Sequence, residues 1–230
     1  MKYGEIVRGI FEKRINRFIS EVYIDGVKLQ VHVKNTGRLK ELFQQGAKVL
    51  LECSDNPNRK TQFSIIAVLK DGVWVNIDSQ APNAVAFEAI KEGRIAEIGQ
   101  VDLVKREVTF GASRFDLYFE QGEQKGFIEV KGVTLEIEGV AMFPDAPTTR
   151  GTKHVLELAK AAKEGYHCAI LFLVQLKGCR KFVPNREMDP VFADALLKAE
   201  ESGVQILAYD TMVTEDGMVL DTVVPVELIE

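Results

Sequence analysis

Two acids and a lysine are spaced so that one polar face can collect them. Asp116 lies in Ser113-Arg-Phe-Asp-Leu-Tyr-Phe-Glu120, and Glu129 and Lys131 lie in Gly126-Phe-Ile-Glu-Val-Lys-Gly132. Both stretches alternate as strands do, so Phe115, Leu117 and Phe119 are expected on one face and Arg114, Asp116 and Tyr118 on the other. Glu129 and Lys131 share a face about 6–7 Å apart along their strand. A two-residue turn at Gly122-Glu123, glycine first as a type II′ turn prefers, sets Asp116 directly opposite Glu129. Opposed side chains on one face lie about 5 Å apart. Carboxylates that close repel each other unless something neutralises them. A divalent cation, Mg²⁺ or Mn²⁺, is the natural partner, held by one or two carboxylates with waters and phosphate oxygens completing its shell. Lys131 would then lower the pKa of an attacking water or steady a phosphate's developing charge. Those are parts for phosphodiester hydrolysis. Without a cation, the same residues read as a solvated Asp–Glu–Lys cluster on an edge hairpin.

The elements around this pair divide the chain in two. In residues 1–82, Gln30–Lys34 alternates strictly, Asp25-Gly26 before it is a hairpin turn signal, and Val49–Cys53, Thr61–Leu69 and Val73–Ile77 are further strands. Ile6 to Tyr23 is long and mixed, and Gly37 to Phe43 can form one helical turn. Short strands with a small helix suggest an OB-like β-barrel, a fold that often binds oligonucleotides, with an SH3-like barrel as the alternative. Ser79–Asn83 reads as the joint. From residue 83 to 230 the order is a helix over Ala84–Ile90 with Asn83 as its N-cap, strands at Glu107–Phe110, Arg114–Glu120 and Phe127–Val133, and a helix over Lys153–Glu164 capped by Thr152. Cys168–Val174 is a continuous apolar strand of the kind buried on both sheet faces, followed by a helix over Pro190–Ser202 and a strand over Val204–Tyr209. This order implies an α/β domain with a mixed sheet.

Composition narrows the function classes. The chain has 230 residues, 46% hydrophobic and 27% charged, values of a globular protein rather than a disordered one. No apolar run approaches the ~18–20 residues of a membrane span. Charged residues from Glu5 to Arg14 interrupt any signal-peptide core, and three scattered cysteines argue against a disulfide framework, so a cytoplasmic setting is expected. Residues 1–80 carry thirteen Lys and Arg against nine Asp and Glu, while residues 81–230 carry sixteen against twenty-five. A basic front half on an acidic chain points to a polyanion such as DNA, read with little base preference, or merely to solubility. Arg14, Arg17, Arg38, Arg59 and Lys60 are the best phosphate contacts on the barrel. Arg150, Lys153 and His154 stand where a helix start could face the acid pair, and backbone N–H groups there favour a phosphate. No phosphate loop and no dinucleotide fingerprint is present. The oligomeric state is left open.

Asp116, twelve intervening residues and then Glu-Val-Lys, after a helix carrying Glu88 and before another helix, resembles the PD-(D/E)xK nuclease core. Phe115 stands where that name has its proline, and Glu88 resembles the first-helix acid that sometimes joins the metal. The segments Arg14-Ile-Asn-Arg-Phe18, Asn35-Thr-Gly-Arg38, Arg59-Lys-Thr61 and Gly111-Ala-Ser-Arg-Phe-Asp116 carry a closer resemblance. So do Glu129-Val-Lys-Gly-Val-Thr134, Phe143-Pro-Asp-Ala-Pro-Thr-Thr-Arg-Gly-Thr-Lys-His154 and Asp189-Pro190. Together, from about residue 10 to about residue 225, they are similar to the sugar fermentation stimulation protein A (SfsA) family. That resemblance implies an N-terminal OB-like domain, a C-terminal nuclease-like domain, DNA binding and a regulatory role in sugar (maltose) metabolism. Gly132 departs from the Ser or Asn frequent there, at no proposed ligand. Three functions stay open: a Mg²⁺-dependent DNA-cutting protein, a non-cutting DNA-binding regulator, and a hydrolase of a small anionic metabolite.

Overall fold

Turn chemistry sets the first domain. In the computed structural model, which describes residues 1–111 and 113–229, β1 (Ile6–Arg14) and β2 (Ile19–Ile24) form a hairpin. Asp25 and Gly26 both take positive φ, +49° and +78°, the demand of a type I′ turn, and deliver the chain into β3 (Val27–Val33). After a single helical turn closed by Leu39 O accepting from Phe43 N, β4 (Lys48–Cys53), β5 (Phe63–Lys70) and β6 (Val73–Asn76) complete the sheet. β1 pairs with both β2 and β4, and β3 closes the cylinder by pairing in parallel with β5, His32 against Ser64. The result is a closed five-strand OB barrel with β6 appended, filled by Phe11, Val22, Val31, Leu51 and Ile65.

The second domain begins with α1 (Ala81–Lys91), three residues earlier than the sequence implies. Pro82 sits in its first turn, where a missing N–H costs nothing, and Gln80 is the N-cap residue, so Asn83 lies inside the helix and does not cap it. Then come β7 (Leu103–Phe110), β8 (Ser113–Gln121) and β9 (Gln124–Val133), antiparallel in turn. A side hairpin, β10 (Leu135–Ile137) and β11 (Val140–Phe143), follows. α2 (Thr149–Lys163) is capped by Thr148, whose hydroxyl accepts from Gly151 N at 3.1 Å, so the helix starts four residues before the predicted Lys153. β12 (His167–Val174), β13 (Lys181–Pro184), α3 (Pro190–Glu201), β14 (Gln205–Val213) and β15 (Met218–Val223) end the chain's regular structure.

The main sheet runs β15-β14-β12-β9-β8-β7, with β12 parallel to both β9 and β14. This is the expected mixed sheet. β12 alternates as a doubly buried strand must: Cys168, Ile170 and Phe172 pack on the α2 and α3 side, and Ala169, Leu171 and Leu173 pack on the α1 side. β8 departs from its predicted alternation. Leu117 and Phe119 face α1, whereas Phe115 turns to the α2 side and packs 5.1 Å from the Phe127 ring. At this point the β8–β9 ladder stops, at Leu117 and Ile128, while β8 stays paired with β7 as far as Ser113. Ala112, part of the Gly111–Asp116 segment, lies outside the described residues.

Candidate functional site

The predicted register holds. Gln121–Gln124, Phe119–Gly126 and Leu117–Ile128 are all paired as predicted, and Asp116 and Glu129 lie just past the last pair, close enough for the Glu129 charge to act on Asp116. Gly122 alone of the two turn residues has positive φ, +57°, as a type II′ turn requires. In place of the next ladder bond, Asp116 Oδ2 accepts from the Val130 N–H at 2.8 Å. Its Oδ1 accepts from Asn83 Nδ2 at 2.8 Å, which ties the first turn of α1 to the end of β8. Burial first, and then the neighbouring Glu129 charge, push the Asp116 carboxyl above the usual carboxylate range against those two donors and Lys131.

Glu129 is 2% exposed and sits where α2 crosses the sheet. Its Oε1 takes two contacts, from Lys131 Nζ at 2.6 Å and His154 Nδ1 at 2.5 Å. Its Oε2 is buried without any hydrogen-bond partner. A buried carboxylate oxygen left unpaired is costly, and such an atom calls for a ligand. Each Asp116 oxygen keeps a lone pair beyond its one donor. The two carboxylates therefore suit a hard divalent cation that keeps several waters. A cation held here would have these two carboxylates alone, since among the described residues no group of three or more His, Cys, Asp and Glu could hold a metal ion.

Glu88 does not join them. Five residues beyond Asn83, it is turned about 140° away around the helix, and it pairs with the Met1 ammonium at 2.7 Å. His154, expected to meet a phosphate at a helix start, is instead buried in the second turn of α2 and holds Glu129. Arg150 and Lys153, on the same helix, are exposed. Asn83 is the site residue that the sequence reading treated only as a cap.

The basic set also divides. Arg14 spends all five of its N–H donors on backbone carbonyls: Asn16, Gly37, Arg38, Arg17 and Asn35, at 2.5–3.1 Å. It also lies 5.2 Å from the Phe43 ring. No donor is left for a phosphate, so Arg14 is a clasp holding two loops together and not a nucleic-acid contact. Arg17, Arg38 and Lys60 are exposed, and Arg59 donates to Ser64 Oγ at 3.3 Å. The β1–β2 turn and the loop after β4 flank the end of β3, since Val33 N donates to Phe18 O and His32 pairs with Ser64. Arg17, Arg38 and Arg59 therefore gather at one end of the barrel. No helix among the described residues is long and apolar enough to cross a membrane.

Comparison with known proteins matches residues 80–217 to the "Sugar fermentation stimulation protein RE domain" and residues 13–77 to the "SfsA N-terminal OB domain". A relative from Alkaliphilus oremlandii, named as a sugar fermentation stimulation protein homolog, is 59% identical over 225 residues, 96% of each chain. One of the same name from Desulfitobacterium hafniense is 47% identical over 230 residues, the whole of both. Among solved structures, that of Pyrococcus furiosus SfsA in complex with Ca²⁺ superposes with a TM-score of 0.88 at 29% identity, over 99% of this chain and 98% of that one.

Proposed function

The chain belongs to the sugar fermentation stimulation protein family, and from that premise we propose that it binds DNA and cuts phosphodiester bonds with a divalent cation at Asp116 and Glu129. The observation that carries this reading is the buried Oε2 of Glu129, left without a hydrogen-bond partner while the Glu129 charge acts on the Asp116 carboxyl nearby. Ca²⁺ in the Pyrococcus furiosus relative supports a hard cation in this family. Asp116 and Glu129 would hold Mg²⁺ or Mn²⁺, which supplies charge neutralisation at the phosphate when bound. The protein's own groups do the rest. Lys131 Nζ, held 2.6 Å from Glu129 Oε1, carries protons to give to a phosphate oxygen as charge builds on it. His154 fixes the same Oε1 from the helix side and so turns Oε2 free. Asn83 and the Val130 N–H do the equivalent for Asp116.

A non-cutting DNA-binding regulator of sugar metabolism is the second reading. It is favoured by the donors already on both Asp116 oxygens, an arrangement a purely structural carboxylate also shows. Calorimetric titration with Mn²⁺, and incubation with single-stranded, duplex and branched DNA, separate the two. The expected result is one binding event lost in Asp116→Ala, and cleavage that falls by about a hundredfold or more in Lys131→Ala. Mn²⁺ binding unaffected by Asp116→Ala, or no cleavage of any of the three DNAs, returns the chain to the regulator.

A further inference from the structure

Resting on the reading that this chain binds DNA, we propose that its ligand is a single strand, stacked on Phe18 and led from the barrel toward the β9 and α2 elements that carry the acid pair. Phe18 and Ile15 stand 49% and 45% exposed at the tip of the β1–β2 hairpin, large apolar side chains that the fold does not use. The tip is rigid. Asn16 Oδ1 accepts from the N–H groups of Phe18 and Ile19 at 2.8 and 3.0 Å, and Arg14 clasps the turn from below. A preformed platform of this kind loses little entropy when a base settles on it. Arg17 lies 5.8 Å from the Phe18 ring and extends the stacking surface with a cation. Bases in a duplex are already stacked and turned inward, whereas those of a single strand are free to lie on an aromatic face.

From that tip two hollows run on end to end. The first, about 440 Å³, is lined by Arg17, Arg38 and Lys40. The second, about 380 Å³, is lined by Gly132, Thr134 and Thr148. Thr36 and Gly37 line both. Gly132 directly follows Lys131, and Thr148 caps the helix that carries His154, so the second hollow reaches the β9 and α2 elements that carry the site, while Asp116 and Glu129 themselves do not line it. Hollows of this size sit near the lower end of the ~300–1,000 Å³ that take small ligands, which suits one nucleotide at a time and not a double helix. Among the described residues no ion pair engages Arg17, Arg38 or Lys40, so the first hollow offers uncommitted cations to a backbone.

The test is anisotropy in EDTA with a fluorescein-labelled oligothymidylate and a duplex of equal length. The strand should bind at least about tenfold tighter than the duplex. Phe18→Ala should lose about tenfold on the strand and nothing on the duplex, and Phe18→Trp should restore it. Phe18 is exposed, so an unchanged thermal transition checks that the fold survives. A strand bearing photoreactive thymidines should cross-link to both the 14–18 turn and the 132–148 segment. Equal affinities, an indifferent Phe18→Ala, or cross-links confined to the turn overturn the proposal while leaving DNA binding intact. No binding of either DNA overturns the underlying reading as well.

Discussion

Arg14→Ala separates structure from ligand contact most sharply. As a phosphate contact, Arg14 would be dispensable for folding, and its loss would shallow the log–log salt slope of DNA binding by about one unit. As a clasp, its loss falls on stability. Of its five carbonyl partners, those of Gly37 and Asn35 lie in half-buried surroundings, while those of Asn16, Arg17 and Arg38 can return to water. A hydrogen bond to a charged group contributes about 1.5–3 kcal/mol net. Taking the lower end for the two half-buried carbonyls, and nothing for the exposed three, leaves about 3 kcal/mol. The Phe43 contact at 5.2 Å adds about 0.5 kcal/mol at such a site. For a chain of this size a loss of about 3.5 kcal/mol lowers Tm by roughly 7–14 °C. Arg14→Lys keeps the charge but has three donors on a point, not five on a plane, and should lose about half as much. Differential scanning calorimetry measures both, and a salt series on Arg17→Ala and Arg38→Ala supplies the contrast: each should shallow the slope by about one unit with Tm unmoved. An Arg14→Ala protein as stable as wild type with a shallower salt slope would refute the clasp.

Two further outcomes follow from buried polar groups. Asp116 has its pKa raised on folding, chiefly by burial, so the folded state binds that proton more tightly than the unfolded one. Its contribution is therefore greatest below the ordinary carboxylate range and is lost as pH rises through the raised value. Tm measured without divalent cations should fall across that window, a step absent in Asp116→Asn and moved to higher pH in Asn83→Ala, which removes the Oδ1 donor; a flat profile through the window counts against the crowded acid pair. Gln175, 2% exposed, reaches from the end of β12 to Asn76 Oδ1 and the Asp78 carbonyl at 3.0 and 3.2 Å, across the joint between the domains. Both acceptors keep a second donor, so Gln175→Leu should cost only about 1–2 kcal/mol by urea unfolding, and a neutral result would mean that Gln175 does not hold the joint.

What the sequence made legible was whatever depends on period and turn type. The β8–β9 register followed from alternation and one glycine. The double burial of β12 followed from an unbroken apolar run, and the Asp25-Gly26 hairpin from its turn residues. What escaped depends on where a helix starts and on who its neighbours are. Thr148 and Thr152 are equally good caps by type; choosing the later one places His154 at the helix mouth, where it reads as a phosphate contact. The true start, four residues earlier, puts it a full turn inside, facing Glu129. Asn83 is a good cap by the same rule, yet Pro82 already favours the first turn, and the earlier start converts Asn83 from cap into the donor that holds Asp116. Arg14 fails differently. A sequence shows that a guanidinium is present but not whether its donors are spent, and the carbonyls that spend them come from two loops joined only by barrel closure. Charge type thus marks the end of the barrel where a polyanion would meet the chain, while the pairing of each donor decides which arginine would be left to meet it: every Arg14 donor is spent on a carbonyl, whereas among the described residues no ion pair engages Arg17 or Arg38.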